Sequence, residues 1–249
     1  MFMARRSIES FKPIHYPGLE AGRIVYAIGD IHGRADLLEG VHQRIDADMA
    51  ATPDALHHEI YLGDYIDRGP SSAQVVDALI ERSHAVRMTC VMGNHEELLL
   101  GCLRGEISFS TWRKFGGMET LSSYGATASS LSRFEDEHVR EIARRLVGPR
   151  HMSFFEALRP YVIVNDYAFV HAGMRPNVPI ANQAGKDLRW IRGDFLTARG
   201  DFGYIVVHGH TTVPKAEFLS NRINIDTAAY ISNELSCLRI DENGPELLA

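Results

Sequence analysis

Cysteine is scarce in this sequence: three residues, Cys90, Cys102 and Cys237, among 249. None belongs to a CxxC pair. An odd, sparse set argues against a disulfide framework and fits a reducing compartment, so the expected location is cytoplasmic. Long apolar runs are lacking too. None follows Arg5-Arg6, so the N-terminus does not read as a signal peptide. No segment approaches the roughly 20 apolar residues of a transmembrane helix. Positive charge is not in excess: 26 Lys and Arg stand against 32 Asp and Glu, a formal net charge of −6. Such a chain is a poor general binder of nucleic acid or anionic membrane, and neither partner is expected. There is no low-complexity tract and no solenoid repeat. Nothing in the sequence speaks to oligomeric state.

What is present is ordinary for a soluble globular chain: 45% hydrophobic and 23% charged residues. Residues 1–22 read as an N-terminal leader and 23–249 as a single α/β domain. The first half alternates. Strand-like runs at 23–28, 59–62 and 86–92 are separated by apolar residues at helical spacing, Leu37, Leu38, Val41 and Ile45, then Val75, Val76, Leu79 and Ile80. Ser71-x-x-Gln74 has the form of a capping box. A more polar helical insert spans about 101–160, contains the unusual stretch WRKFGGMETLSSYG at 112–125, and stops and restarts at Gly148-Pro149. Short β-type runs follow: YVIV, YAFV, YIVV, EFL, RINI and LSCLRI. The expected architecture is a β-sandwich of two packed sheets with helices outside.

The first three strands end alike, in IGD at 28–30, LGD at 62–64 and MGN at 92–94. In parallel α/β units the carboxyl ends of strands share an edge, and ligands bind there. Asp30, Asp64 and Asn94 should therefore converge. Next to them stand His32 in GDIHG, Asp67 and Arg68 in GDYIDRG, and His95 in GNHE; later strands end on His171 in FVHAG and on His208 and His210 in VVHGHT. Taken singly, Asn94 reads as a helix cap, with Glu97 at the third helical position, and Arg68 as a solvated loop residue. Taken in order, the set is a mixed oxygen and nitrogen site. Such sites suit manganese, iron or zinc better than magnesium alone. One carboxylate can bridge two ions about 3.5–4 Å apart, a pair able to clamp a phosphoryl group and generate hydroxide. Gly29 and Gly33 are expected to clear space for a metal.

These motifs resemble the phosphoprotein phosphatase (PPP) family of calcineurin-like metallophosphoesterases, in its compact bacterial and phage form. GDIHG, GDYIDRG and GNHE match the three signature motifs, and HAG and GHT match two later metal motifs. The resemblance implies two metal ions, manganese first, with iron or zinc as alternatives. Asp30 and His32 would hold one, Asn94, His171 and His210 the other, and Asp64 both. His210 is preferred to His208 because the family's ligand follows a glycine. His95, held by Asp67, would protonate the leaving group. Arg68 and Arg192 would grip phosphate, with Arg189 as the alternative to Arg192.

The reaction so implied is hydrolysis of a phosphate monoester by in-line attack of a metal-bridging hydroxide, first as a serine/threonine protein phosphatase. The substrate would be a phosphorylated protein or a small phosphate ester. A dinucleoside polyphosphate hydrolase is the alternative, since similar bacterial enzymes share the motifs. Trp112, Phe115 and Tyr124 in the insert could then stack a base, although the core is their favoured place. An inactive binding module on the same fold is the third reading.

Overall fold

The run RIVYAI forms strand β1, Arg23–Ile28, in a computed structural model that describes residues 14–127, 131 and 136–249. Its two faces are buried differently. Ile24, Tyr26 and Ile28 point toward helices; Val25 and Ala27 point toward a second sheet. A strand covered on both faces reads as continuous apolar sequence, which is why no alternation marks it.

Helix α1 (Ala35–Ala51) returns the chain to β2 (Leu56–Tyr61), and α2 (Ser72–Ser83) returns it to β3 (Met88–Cys90). Both strand pairs are parallel, so each needs a long crossover. Ser71 precedes α2, but its side chain makes no capping hydrogen bond, so the expected capping box does not form. The neighbouring Ser72 hydroxyl instead accepts the Asp67 N–H.

The insert follows as α3 (Asn94–Arg104), α4 (Phe109–Arg113), α5 (Gly117–Ser123) and α6 (Asp136–Glu156). The expected break in α6 is a kink at Gly148, with Pro149 opening the next turn.

The second half supplies β4 (Val162–Val164), β5 (Tyr167–Phe169), the short helices α7 (Gly185–Trp190) and α8 (Gly193–Leu196), β6 (Ile205–His208), β7 (Glu217–Leu219) and β8 (Arg222–Asn224). A single-turn α9 (Ala229–Ser232) leads to β9 (Cys237–Asp241) and β10 (Gly244–Leu247). The sequence reading did not anticipate β10, whose GPEL carries a proline and a single apolar residue.

One sheet runs β10-β9-β1-β2-β3 and the other β4-β5-β6-β8-β7; both mix parallel and antiparallel pairs. The β-sandwich expectation therefore holds. Val25, Ala27, Ile60 and Leu238 meet Tyr167, Phe169, Val207 and Ile223 between the sheets. A larger core lies between the first sheet and α1–α6, and a smaller one joins the second sheet to α7 and α8. Of segment 1–22, residues 1–13 lie outside the described residues. Leu19 N donates to Asp241 O (2.7 Å) and Tyr16 Oη to Leu219 O (3.0 Å), so residues 16–19 lie against both sheets. Among the described residues no helix is long and apolar enough to cross a membrane.

Candidate metal centre

The carboxyl ends of β1, β2 and β3 lie along one edge of the first sheet, and those of β5 and β6 face them from the second. Asp30, His32, Asp64, Asn94, His171 and His210 are all buried there. The glycines beside them act otherwise than expected. A Cβ at Gly29 would stand 2.6 Å from Ile225 O, and one at Gly33 2.7 Å from Gly69 O. They admit neighbouring backbone rather than a metal.

Asp64 occupies the middle. Its Oδ2 is 3.5 Å from His32 Nε2 and 3.7 Å from His95 Nε2; its Oδ1 is 3.4 Å from His171 Nε2. Two groups of potential ligands result, His32–Asp64–His95 and Asp64–His171–His210, each with its ligand atoms within 4.8 Å of one another. Asp64 is common to both. Asp30 lies outside these two groups. Its Oδ2 accepts the His210 N–H (3.0 Å), while its buried Oδ1 has no hydrogen-bond partner among the described residues.

The protons point to cations. His32 donates Nδ1–H to Ile66 O and His171 donates Nδ1–H to Leu62 O, both at 2.9 Å. Each Nε2 is left as a bare lone pair facing the centre, the usual arrangement of a metal-ligating histidine. His171 Nε2 then faces Asn94 Oδ1 at 2.9 Å and Asp64 Oδ1 at 3.4 Å, with His210 Nδ1 2.8 Å from the same Asn94 oxygen and 3.2 Å from His171. At His171 Nε2, acceptor confronts acceptor. Two donors about 2.1 Å from one ion stand about 3.0 Å apart at a right angle and about 3.4 Å apart at the tetrahedral angle. The observed separations fall around that range, so the residues fit metal. Burial holds His32, His171 and His210 below the ordinary imidazole range, His210 down to about 2, which keeps them neutral as ligands must be.

The backbone is strained here. His32, Asp64, Asp67, Arg68 and His210 all have φ between 45° and 70°, a left-handed conformation that costs non-glycine residues about 1–3 kcal/mol each.

Asn94 is not the expected cap. Gly93 takes that place and Asn94 is the first residue of α3, which frees its side chain for His171 and His210. Glu96, not Glu97, occupies the third position. Its carboxylate accepts the N–H groups of Gly93 (3.1 Å), Asp64 (3.0 Å) and Tyr65 (2.8 Å) and so ties α3 to the Asp64 loop. Sequence reasoning missed Glu96, although it is the Glu of GNHE. It also missed Asp226, which is buried beside Asp30; burial pushes it up to about 6. The signal was there, since RINI runs into Asp226 as β1 runs into Gly29-Asp30.

His95 Nδ1 donates to Asp67 Oδ2 at 2.7 Å, and Arg68 Nη2 lies 3.3 Å from His95 Nε2. Burial opposes charge on His95, but Asp64 and Asp67 outweigh it and raise its pKa. Arg192 is exposed and donates to His210 O (3.2 Å), whereas Arg189 is paired with Glu97. His208 turns away: its ring meets Phe195 edge-on at 4.9 Å. Among the insert aromatics, Trp112 is fully buried and Tyr124 bonds His151. Phe115 is half-buried and lies edge-on to both His95 and Trp190 (6.0 Å each), with Trp190 in turn 6.1 Å from His210. The Tyr230 ring is 5.3 Å from His32 and 4.7 Å from the Arg68 guanidinium carbon.

Residues 24–235 match the profile of the calcineurin-like phosphoesterases. The asymmetrical bis(5'-nucleosyl)-tetraphosphatase PrpE of Anoxybacillus flavithermus is 27% identical over 237 residues, covering 86% of this chain and 89% of that protein. A solved structure of a candidate diadenosine tetraphosphatase superposes with a TM-score of 0.63 at 16% identity, over 93% of this chain and 97% of the other. A protein serine/threonine phosphatase from Saccharomyces cerevisiae superposes with a TM-score of 0.54 at 15% identity, over 92% and 80%. At these identities the two structural likenesses speak for the fold alone.

Proposed function

This chain belongs to the calcineurin-like phosphoesterase family, whose members use a binuclear metal centre, and we propose that it is an asymmetrical dinucleoside polyphosphate hydrolase. The metal-dependent phosphoesterase reading expected from the sequence stands; its first substrate choice, a phosphoprotein, gives way to its alternative. The observation that carries this is the extent of the match to PrpE, 86% of this chain and 89% of that protein, far more than five short motifs could supply. The half-buried aromatics Phe115, Trp190 and Tyr230, which lie against His95, His210 and His32, support it as surfaces for nucleobases.

Two cations held at the centre would supply Lewis acidity and an activated water at neutral pH, and the mixed oxygen and nitrogen donors suit manganese, iron or zinc. The residues do the rest. Asp64 is common to the two groups; His32 and, from outside them, Asp30 would hold one ion, and Asn94, His171 and His210 the other. Arg68 and Arg192 offer planar guanidinium forks to phosphate oxygens. His95, oriented by Asp67, holds a proton at Nε2 for the departing oxygen.

The test is a substrate panel with Mn²⁺: diadenosine tetraphosphate, a phosphoserine peptide and p-nitrophenyl phosphate. Diadenosine tetraphosphate should give the highest kcat/KM and unequal products, ATP and AMP. Preference for the peptide would restore the phosphoprotein reading. Absence of bound metal together with no turnover would support the inactive module.

A further inference from the structure

Phe115 apart, the stretch WRKFGGMETLSSYG is used by no step above, yet it folds directly onto Asp67. Trp112, in α4, is fully buried, and its indole N–H points at the Asp67 carboxylate, 2.9 Å from Oδ2 and 3.2 Å from Oδ1. Thr120, in α5, is fully buried too. Its hydroxyl donates to Asp67 Oδ1 (2.5 Å) and accepts the Asp67 backbone N–H (2.8 Å). Gly116 lies between them with φ 110°, and a Cβ there would stand 2.4 Å from Arg68 N. Only glycine lets the segment approach so closely.

A buried tryptophan can satisfy its N–H on any nearby carbonyl, and a buried threonine commonly bonds its own helix. Here both donors end on one carboxylate, whose other partner is His95 Nδ1. A carboxylate with one donor can rotate about its Cβ–Cγ bond; one held by two donors besides the imidazole cannot.

We propose that Trp112 and Thr120 are positioning residues of the proton-donating pair: they fix the Asp67 carboxylate so that Oδ2 meets His95 Nδ1 and His95 Nε2 faces the leaving group. The helical insert thus reaches into the chemistry through Asp67 without touching substrate at these two positions. The inference rests on reading His95 as the proton donor, and its test separates the two.

Trp112→Phe removes the N–H and keeps a ring. Thr120→Val removes the hydroxyl at nearly constant shape, and Thr120→Ser restores it. These variants and His95→Asn are assayed as Mn²⁺-loaded full-length chains on an alkyl phosphate, whose alkoxide must be protonated to leave, and on p-nitrophenyl phosphate, whose phenolate need not be. Metal content and thermal stability are read in parallel.

Trp112→Phe and Thr120→Val should lower kcat on the alkyl phosphate by about tenfold or more, part of the about 10²–10⁴-fold that general acids supply. KM and metal content should hold, and the loss on p-nitrophenyl phosphate should be several-fold smaller. Thr120→Ser should recover most of the rate. Equal losses on both substrates, or failure of serine to rescue, would overturn the proposal when His95→Asn does discriminate between them. If His95→Asn fails to discriminate, the donor reading falls and this proposal with it. Should Trp112→Phe not fold, ¹⁵N-labelled wild-type chain decides: of its two indole N–H signals, that of Trp112 should move on Asp67→Asn, and a signal that stays put would refute the contact.

Discussion

Asp64 sends its two oxygens to different neighbours, Oδ2 toward His32 and Oδ1 toward His171. Asparagine would keep the shape and lose the anion. Asp64→Asn is expected to drop metal content from two ions per chain toward none. Turnover should fall by at least about 10–100-fold, the scale of changes that merely support ligands. Two ions retained at near wild-type turnover would exclude a bridging role. The two late histidines make a second residue-scale contrast. His210→Ala should lose the ion shared with His171. His208→Ala should keep both ions and instead lower the melting temperature, because its ring fills the space against Phe195; metal analysis and thermal denaturation of the two variants check this. The convergence of Asp30, His32, Asp64, Asn94, His95 and His171 was legible because each ends a strand or follows one, and strand ends share an edge. Glu96 was not legible as a support. Glu97 beside it offered the same capping reading, and only the true start of α3, one residue earlier than expected, decides between them.

Helix α3 presents Asn94, His95 and Glu96 in its first turn, and Glu96 binds that turn to the loop carrying Asp64. Glutamine has one acceptor oxygen, and its NH₂ would confront backbone N–H groups. Glu96→Gln is therefore expected to cost about 3 kcal/mol. For a chain of this size that lowers the melting temperature by roughly 6–12 °C, and a shift below about 2 °C in a thermal denaturation curve would show that water replaces the lost acceptor. At this scale the sequence was readable where apolar spacing set the element, as in β1, α1 and α2. It was not readable where tertiary contacts did. Ser71 looked like a cap because its spacing to Gln74 is right, but Asp67 needs the hydroxyl next door, on Ser72. β10 carries too little apolar pattern to be seen without its partner β9.

Across the whole molecule, the candidate ligands come from both sheets: Asp30, His32, Asp64 and Asn94 from the end of one, His171 and His210 from the other. Cations held there would tie the sheets together, and binding to the folded state alone raises stability by mass action. Mn²⁺ at a hundredfold excess over its dissociation constant should add about 2.7 kcal/mol per site. That is a rise of roughly 5–11 °C relative to the chelator-treated chain. An unchanged melting curve would mean that no ion joins the halves. The sandwich was predictable from the order of strands and helices; the mutual approach of its two ends was not, because it depends on pairings between distant segments. The His210 amide bonds Asp30 across 180 positions of sequence, and β9, near the C-terminus, is the neighbour of β1 near the beginning. A ribosome therefore releases GDIHG, GDYIDRG and GNHE long before they have anything to close upon. During synthesis a chain that stops short of His171 already carries the three signature motifs but lacks both candidate ligands of the second sheet, His171 and His210.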